Sequence, residues 1–158
     1  MLMNKKSTPS GLGLPGDPAI FKVFTEISII ANLADREFER VMPGDLTLAQ
    51  FAVINHLLRL DALQTIGEIA SAMQVAQPTM SSTVKKLEAK SYIEFIPDAD
   101  DRRIKRVKVT PSGRAIRDAA VHAVAPGLAK LKAELPDADW AGLLSQLTPL
   151  RMLLDSMR

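Results

Sequence analysis

The residues of this sequence with the clearest chemical potential are basic, and they are concentrated in one segment. Half of the 20 lysines and arginines lie between Lys85 and Arg117, although the formal net charge of the chain is only +2. Aspartate and glutamate collect towards both ends of the chain and at residues 98–101. Because binding to a phosphate backbone requires localised positive charge, this distribution indicates a nucleic-acid partner.

The basic segment follows the pattern of two short helices and a hairpin. Thr47 and Gln50 predict a capping box at the start of a helix that precedes this segment, and Thr65 and Glu68 predict another at the start of its first short helix. Pro78 occupies the first turn of the next helix, where its missing N–H costs nothing, and this helix is predicted to bury Met80, Val84 and Leu87. Residues 92–96 and 104–109 are typical of paired strands and flank the tip sequence DADDRR. This order predicts a winged helix-turn-helix, which lays one helix in a DNA groove and a wing along the backbone.

Long helices are predicted on both sides of this unit. Apolar residues recur every three or four positions from about residue 17 to Pro43, and again after Pro111. The predicted fold class is therefore mainly α: a winged helix-turn-helix with a two-stranded wing hairpin at residues 46–110, flanked by dimerisation helices at 17–45 and 111–158. Residues 1–16 are rich in serine, glycine, proline and lysine, and predict a flexible tail.

The terminal helices carry more apolar surface than a compact winged helix can cover. We therefore expect a homodimer in which the first and last helices interleave about a twofold axis. Such a dimer places two reading helices ~34 Å apart, about one turn of DNA. Pro126 and Pro149 are expected to bend the last two helices.

Composition and motifs argue against several other classes. The chain has no cysteine, which excludes disulfides and thiol redox sensing, and no apolar run of membrane-spanning length, so we expect a cytoplasmic protein without a membrane partner. The tip aspartates lack the glycine and glutamate of a calcium loop, and the only histidines, His56 and His122, are far apart. We predict no metal and no cofactor, and no catalytic motif indicates an enzyme.

Several motifs together resemble the MarR family of dimeric winged-helix transcription regulators. In chain order they are LTLAQF, IGEIASAM, VAQPTMSSTVKKLEAKSYI, the DADDRR wing tip and KVTPSGR. The most specific part is the wing, in which an Asp-Arg-Arg triplet precedes an alternating basic strand and a Thr-x-x-Gly-Arg turn. The resemblance implies a regulator, usually a repressor, that binds double-stranded DNA at a pseudo-palindromic operator. It also implies release by a small aromatic or phenolic effector.

The resemblance assigns roles to individual residues. Arg103 matches the arginine that enters the minor groove, and Asp101 matches the acidic residue that braces the wing. Arg106 and Lys108, on the outer face of the second strand, are expected at phosphates. Phe24, Phe51 and His56 are candidates for the effector pocket. The complete set of candidate DNA contacts is Gln77, Pro78, Thr79, Ser81, Ser82, Lys85, Lys86, Arg102, Arg103, Arg106 and Lys108.

Two positions depart from the family pattern. Ser82 stands where many relatives carry an arginine, so base readout is expected to rest on short hydroxyls and Lys85. Ser91 replaces the glycine that usually ends the reading helix, and we expect a different helix cap there.

Three alternatives stay open at this point. First, Arg102 and Arg103 could form salt bridges with the aspartates of the wing tip and not contact DNA. Second, Phe24 and Phe51 could be ordinary core residues and not line an effector pocket. The winged helix as a whole has a second interpretation as a protein–protein interaction module without sequence-specific DNA binding. That module is expected to keep its partner when the charge of the wing is removed.

Overall fold

The computed structural model of the chain describes Leu14 and residues 16–157 and contains six helices and one hairpin. The predicted tail at 1–16 lies outside the described residues, apart from Leu14 and Gly16. The predicted fold class, mainly α with a two-stranded antiparallel wing hairpin, is confirmed. The elements are α1 (Ala19–Val41), α2 (Leu48–Leu60), α3 (Ile66–Ala72), α4 (Gln77–Ala89), β1 (Ile93–Pro97), β2 (Lys105–Val109), α5 (Pro111–Glu134) and α6 (Trp140–Ser156).

Local sequence signals set the starts of α2 and α3. The hydroxyl of Thr47 accepts from the backbone N–H of Gln50, whose side chain accepts from the N–H of Thr47. Thr65 and Glu68 repeat the arrangement at α3. Both predicted capping boxes are confirmed, and each satisfies two backbone donors that a bare helix start leaves free.

A single apolar core lies within the winged helix. Its members come from α2, α3, α4, both strands and one turn of α5, so the reading helix and the wing share one packed interior. The strands pair antiparallel with Phe95 opposite Val107, and Val107 also pairs with Gln64 from the α2–α3 loop. The buried apolar residues are Leu46, Val53, Ile54, Leu57, Ile69, Ala70, Met80, Val84, Leu87, Ile93, Val107 and Ala120.

The terminal helices bury almost nothing within one chain. No residue of α1 or α6 is buried, and Phe21 and Leu144 are 57% and 65% exposed. Within one chain the apolar stripe of α1 is therefore covered only in part, by contacts with α2 and α5. This agrees with the expectation that the terminal helices carry more apolar surface than the winged helix covers. Pro126 and Pro149 lie inside α5 and α6, which continue past them. Among the described residues, no helix has the length and apolarity that a membrane crossing needs.

Candidate nucleic-acid interface

The reading helix α4 is fixed by its inner face and presents polar residues on the outer one. Met80, Val84 and Leu87, spaced at three and four residues, are buried in the core. This packing leaves most of the candidate DNA contacts of the helix at the surface. Gln77, Pro78, Thr79, Ser82, Lys85 and Lys86 are exposed, and Ser81 is half-buried.

The end of α4 keeps the geometry of a glycine cap although it contains a serine. Ser91 adopts a left-handed backbone with φ of 59°. Its N–H donates to Glu88 at 2.8 Å, and the N–H of Tyr92 donates to Leu87 at 3.0 Å, which is the hydrogen-bond pattern of a Schellman motif. The expectation of a different cap was therefore wrong. The cap places a strained serine where glycine would be relaxed, because the left-handed region costs a residue with a Cβ atom about 1 kcal/mol.

The turn from the wing into α5 explains the Thr-x-x-Gly spacing. The hydroxyl of Thr110 accepts from the N–H of Gly113 and donates to the carbonyl of Ser91 at 2.7 Å, so one side chain caps α5 and ties it to the end of α4. A Cβ at Gly113 would stand 2.0 Å from the carbonyl oxygen of Tyr92. A side chain at this position would overlap the Tyr92 carbonyl, so the close approach of the two backbones strongly favours glycine.

The wing tip is ordered by carboxylates that accept from backbone donors. The carboxylate of Asp98 accepts from the N–H groups of Asp100 and Asp101 at 2.9 and 3.1 Å, and that of Asp101 accepts from the N–H of Arg103 at 2.9 Å. In the described part of the chain, the side chains of Arg102 and Arg103 form no ion pair with these aspartates. Both arginines are exposed and free to reach a partner.

The two basic residues of β2 differ in their surroundings. Lys108 is 53% exposed and pairs with Glu94 across the hairpin at 3.1 Å. The guanidinium of Arg106 is 28% exposed and contacts Asp98, Glu68 and the carbonyl of Leu63. Arg106 is therefore engaged within the protein, whereas Lys108 lies on the surface. The sequence suggested the same phosphate role for both because it shows only that they lie on the same face of the strand.

Charge interactions keep the carboxylates beside Arg106 ionised. The hydrogen bond from Arg106, with those from the backbone of Asp100 and Asp101, lowers the pKa of Asp98 to about 2. The backbone hydrogen bond from Thr65 is the main cause that lowers the pKa of Glu68, and the charge of Arg106 adds to it. Both groups are therefore negative near neutral pH, and Arg106 offsets charge that would otherwise repel a phosphate backbone.

A second polar link joins the start of α2 to the end of α4. The ammonium of Lys90 donates to the side chain of Gln50 at 2.9 Å and to the carbonyl of Asp45 at 2.8 Å, and pairs with the Asp45 carboxylate. The hydrogen bond from Lys90 lowers the pKa of Asp45. The sequence did not predict the structural roles of Lys90 and Asp98, because Lys90 has its partners about 40 residues away and Asp98 pairs with Arg106 only through the register of the wing strands.

The candidate effector residues lie on α1 and α2. Phe24 is 38% exposed, Phe51 packs against the winged-helix core, and His56 contacts the side chain of Gln64 at 2.8 Å. A groove of about 550 Å³ lies elsewhere, between the helix-turn-helix and the wing, and none of the three lines it. Its lining residues are Thr65, Ile66, Gly67, Gln77, Lys85, Glu88, Phe95, Ile104 and Lys105. No group of three or more potential metal ligands converges among the described residues.

Comparison with known proteins gives matches that agree with this geometry. A family model described as MarR family matches residues 44–104. The chain is 29% identical over 124 residues to the HTH-type transcriptional repressor NicR of Pseudomonas putida, covering 75% of this chain and 77% of NicR.

Two solved structures share the fold. A point mutant of MarR from E. coli in complex with operator DNA matches with a TM-score of 0.65 at 24% identity, over 85% of this chain and 95% of that chain. The organohalide-sensing regulator RdhR in its 2,4-dichlorophenol-bound form matches with a TM-score of 0.65 at 17% identity, over 99% of this chain and 92% of that chain. The family model covers α2, α3, α4, β1 and the wing tip, and it ends just before β2.

Proposed function

We propose that the chain is a member of the MarR family of transcriptional regulators and acts as a repressor that binds a pseudo-palindromic operator as a homodimer. The family and the matched relatives are regulators, not enzymes. We assign DNA binding to residues 46–110 and dimerisation to residues 17–45 and 111–158.

The observation that carries the proposal is the unpaired polar surface formed by α4 and the wing tip. The outer face of α4 presents hydroxyls and Lys85 at the surface, while its inner face is fixed in the core. Arg102 and Arg103 extend from a tip whose backbone is held by Asp98 and Asp101. A rigid helix with short polar side chains suits the major groove, and an arginine on an ordered tip suits the narrow minor groove, where negative potential is concentrated.

The proposed homodimer is supported by the apolar surface of the terminal helices. On α1, Ile20 and Ile30 are 67% and 60% exposed, and on one face of α6 Leu143 and Leu154 are 50% and 45% exposed. Apolar faces of this extent are costly in water unless a partner covers them. A second copy with the same faces is the simplest partner, and it supplies the second reading helix that a pseudo-palindromic site requires.

We further propose a small aromatic effector that binds between the dimerisation helices and the winged helix, near Phe24, Phe51 and His56. A solved regulator of the same fold holds 2,4-dichlorophenol, which supports an aromatic ligand class. Phe24 is partly exposed on α1, and Phe51 lies on α2 at the edge of the core. A ligand there would contact both parts of the chain at once.

DNA binding is tested by salt titrations on two duplexes, one that the protein selects from a randomised pool and one of random sequence. The affinity for both duplexes should fall steeply as the salt concentration rises, because binding releases counterions.

Arg103→Ala should cost about 1–3 kcal/mol of binding free energy on the selected duplex, with little change on the random one. Lys108→Ala should weaken both and flatten the salt slope by about one unit. A flat salt response, or no selected sequence, would contradict the proposal and favour the protein–protein interaction module.

A further inference from the structure

Arg106 joins three parts of the winged helix that are distant in sequence. Its Nε donates to the carboxylate of Asp98 at the start of the wing tip, and its Nη1 lies 3.3 Å from Glu68 and 3.1 Å from the carbonyl oxygen of Leu63. We call Arg106, Asp98 and Glu68 the wing brace. The Asp98 side chain is only 9% exposed, so this end of the wing brace is largely shielded from water.

The contact with Glu68 reaches the helix-turn-helix itself. The same Glu68 oxygen, Oε2, accepts from the N–H of Thr65 at 2.7 Å and from Arg106. This oxygen therefore completes the capping box of α3 and anchors the wing at the same time. Because α3 packs directly against α4, a wing attached to the first turn of α3 has a fixed position relative to the reading helix.

A backbone contact beside Arg106 supports the same geometry. The N–H of Val107 donates to the carbonyl of Gln64 at 2.8 Å, so β2 is tied to the α2–α3 loop by main chain as well as by side chain. Two successive residues of β2 thus hold the loop that leads into α3. The planar guanidinium suits this task because its donors point in several fixed directions, whereas a lysine ammonium is a single point charge.

We propose that Arg106 is a positioning residue for DNA recognition: the wing brace fixes the wing relative to α4, and Arg106 acts through this geometry and not through a phosphate. The inference rests on the proposed DNA binding. It replaces the phosphate contact expected from the position of Arg106 on β2. In this arrangement, Asp98 and Glu68 favour DNA binding although they carry the same sign of charge as DNA.

The first test requires no DNA. Amide hydrogen exchange is measured on the full chain for the wild type, Arg106→Lys and Lys108→Gln. Arg106→Lys should speed exchange of the wing amides at Asp98 and Val107 while the amides of α4 stay protected, and Lys108→Gln should leave the wing unchanged. Unchanged wing exchange in Arg106→Lys would overturn the wing brace whether or not the protein binds DNA.

The second test uses the two duplexes described above. Arg106→Lys preserves the charge, so a phosphate contact predicts almost no loss. The wing brace predicts a loss of about tenfold on the selected duplex, a smaller loss on random DNA and an unchanged salt slope, since misplacing the wing costs part of a groove contact. Equal losses on both duplexes, or retained affinity for the selected one, would overturn the proposal.

The third test uses two variants that each remove a negative charge from the wing, because for one of them the wing brace predicts the opposite change in DNA affinity from simple electrostatics. Asp98→Asn and Asp100→Asn each remove one negative charge from the wing, and simple electrostatics predicts tighter DNA binding for both. The wing brace predicts severalfold weaker binding of the selected duplex for Asp98→Asn, with equal or tighter binding for Asp100→Asn. Tighter binding by both variants would overturn the proposal.

Failure of the proposed function can be told apart from failure of the wing brace. If the wild type binds neither duplex, the proposed function fails and the DNA role of Arg106 fails with it. The hydrogen-exchange result still decides whether the wing brace exists.

Discussion

The winged helix buries its apolar residues within one chain, whereas the terminal helices leave theirs at the surface. Val84 and Leu87 of α4 are fully buried, but Leu144 of α6 is 65% exposed. Both regions show the same three- and four-residue spacing in sequence. Helical periodicity therefore predicts that a helix has an apolar face, but it does not show whether that face packs against the same chain or against another molecule.

The largest effect is expected for substitutions that test whether the apolar face of α6 forms the proposed dimer interface. Replacing Leu143 and Leu154, which lie on one face of α6, by glutamate should prevent dimerisation or unfold the chain, because two charges would have to be buried in the interface. Affinity for the selected duplex should fall by at least about a hundredfold, since linked half-sites no longer cooperate. Analytical ultracentrifugation and DNA binding measure the two effects.

Ser145→Glu is the control for this pair, because it adds a charge at an exposed polar position on the opposite side of the same helix. It should remain dimeric and bind DNA like the wild type. A doubly substituted protein that is still a dimer with full affinity would show that the apolar face of α6 is not the interface.

The second prediction compares how the stability loss in each region depends on protein concentration. Leu87→Ala should destabilise the fold by about 2–5 kcal/mol, because it opens a cavity in a packed core. The loss should be the same at every protein concentration. Leu144→Ala should instead weaken association, so denaturation measured at several concentrations separates the two. A concentration-dependent loss in Leu87→Ala would place part of the core in the dimer interface.

The smallest of the three effects that compare the two regions concerns the junction between them. Gly113→Ala should cost about 1–3 kcal/mol, because a Cβ there overlaps the carbonyl of Tyr92 and forces α5 away from the wing. Gly127→Ala is the matched control on the same helix, where a Cβ meets no atom within 4 Å. Thermal denaturation of both variants checks the difference. An equal effect of both would mean that α5 has room to move.

The sequence predicts well what neighbouring residues decide. The capping boxes at Thr47 and Thr65 and the inner face of α4 depend on side chains within four positions of each other, and all were predicted. The contacts of Arg106 with Glu68 and of Lys90 with Gln50 were not predicted, because each pair is separated by about 40 residues. Ser91 shows a different limit: tertiary contacts from Thr110 and Ser112 hold its carbonyl and impose a geometry that a serine does not favour locally.

Three residues at helix ends have a left-handed backbone conformation, and replacing them is a way to make the protein more stable. Asp61, Gln74 and Ser91 follow α2, α3 and α4 with φ of 49°, 54° and 59°. Glycine at Gln74 and Ser91 should each recover about 1 kcal/mol, and the gain at Asp61 should be smaller because aspartate tolerates this backbone better. None of the three is a candidate DNA contact, so a more heat-resistant protein is within reach of two or three substitutions that leave the reading surface intact.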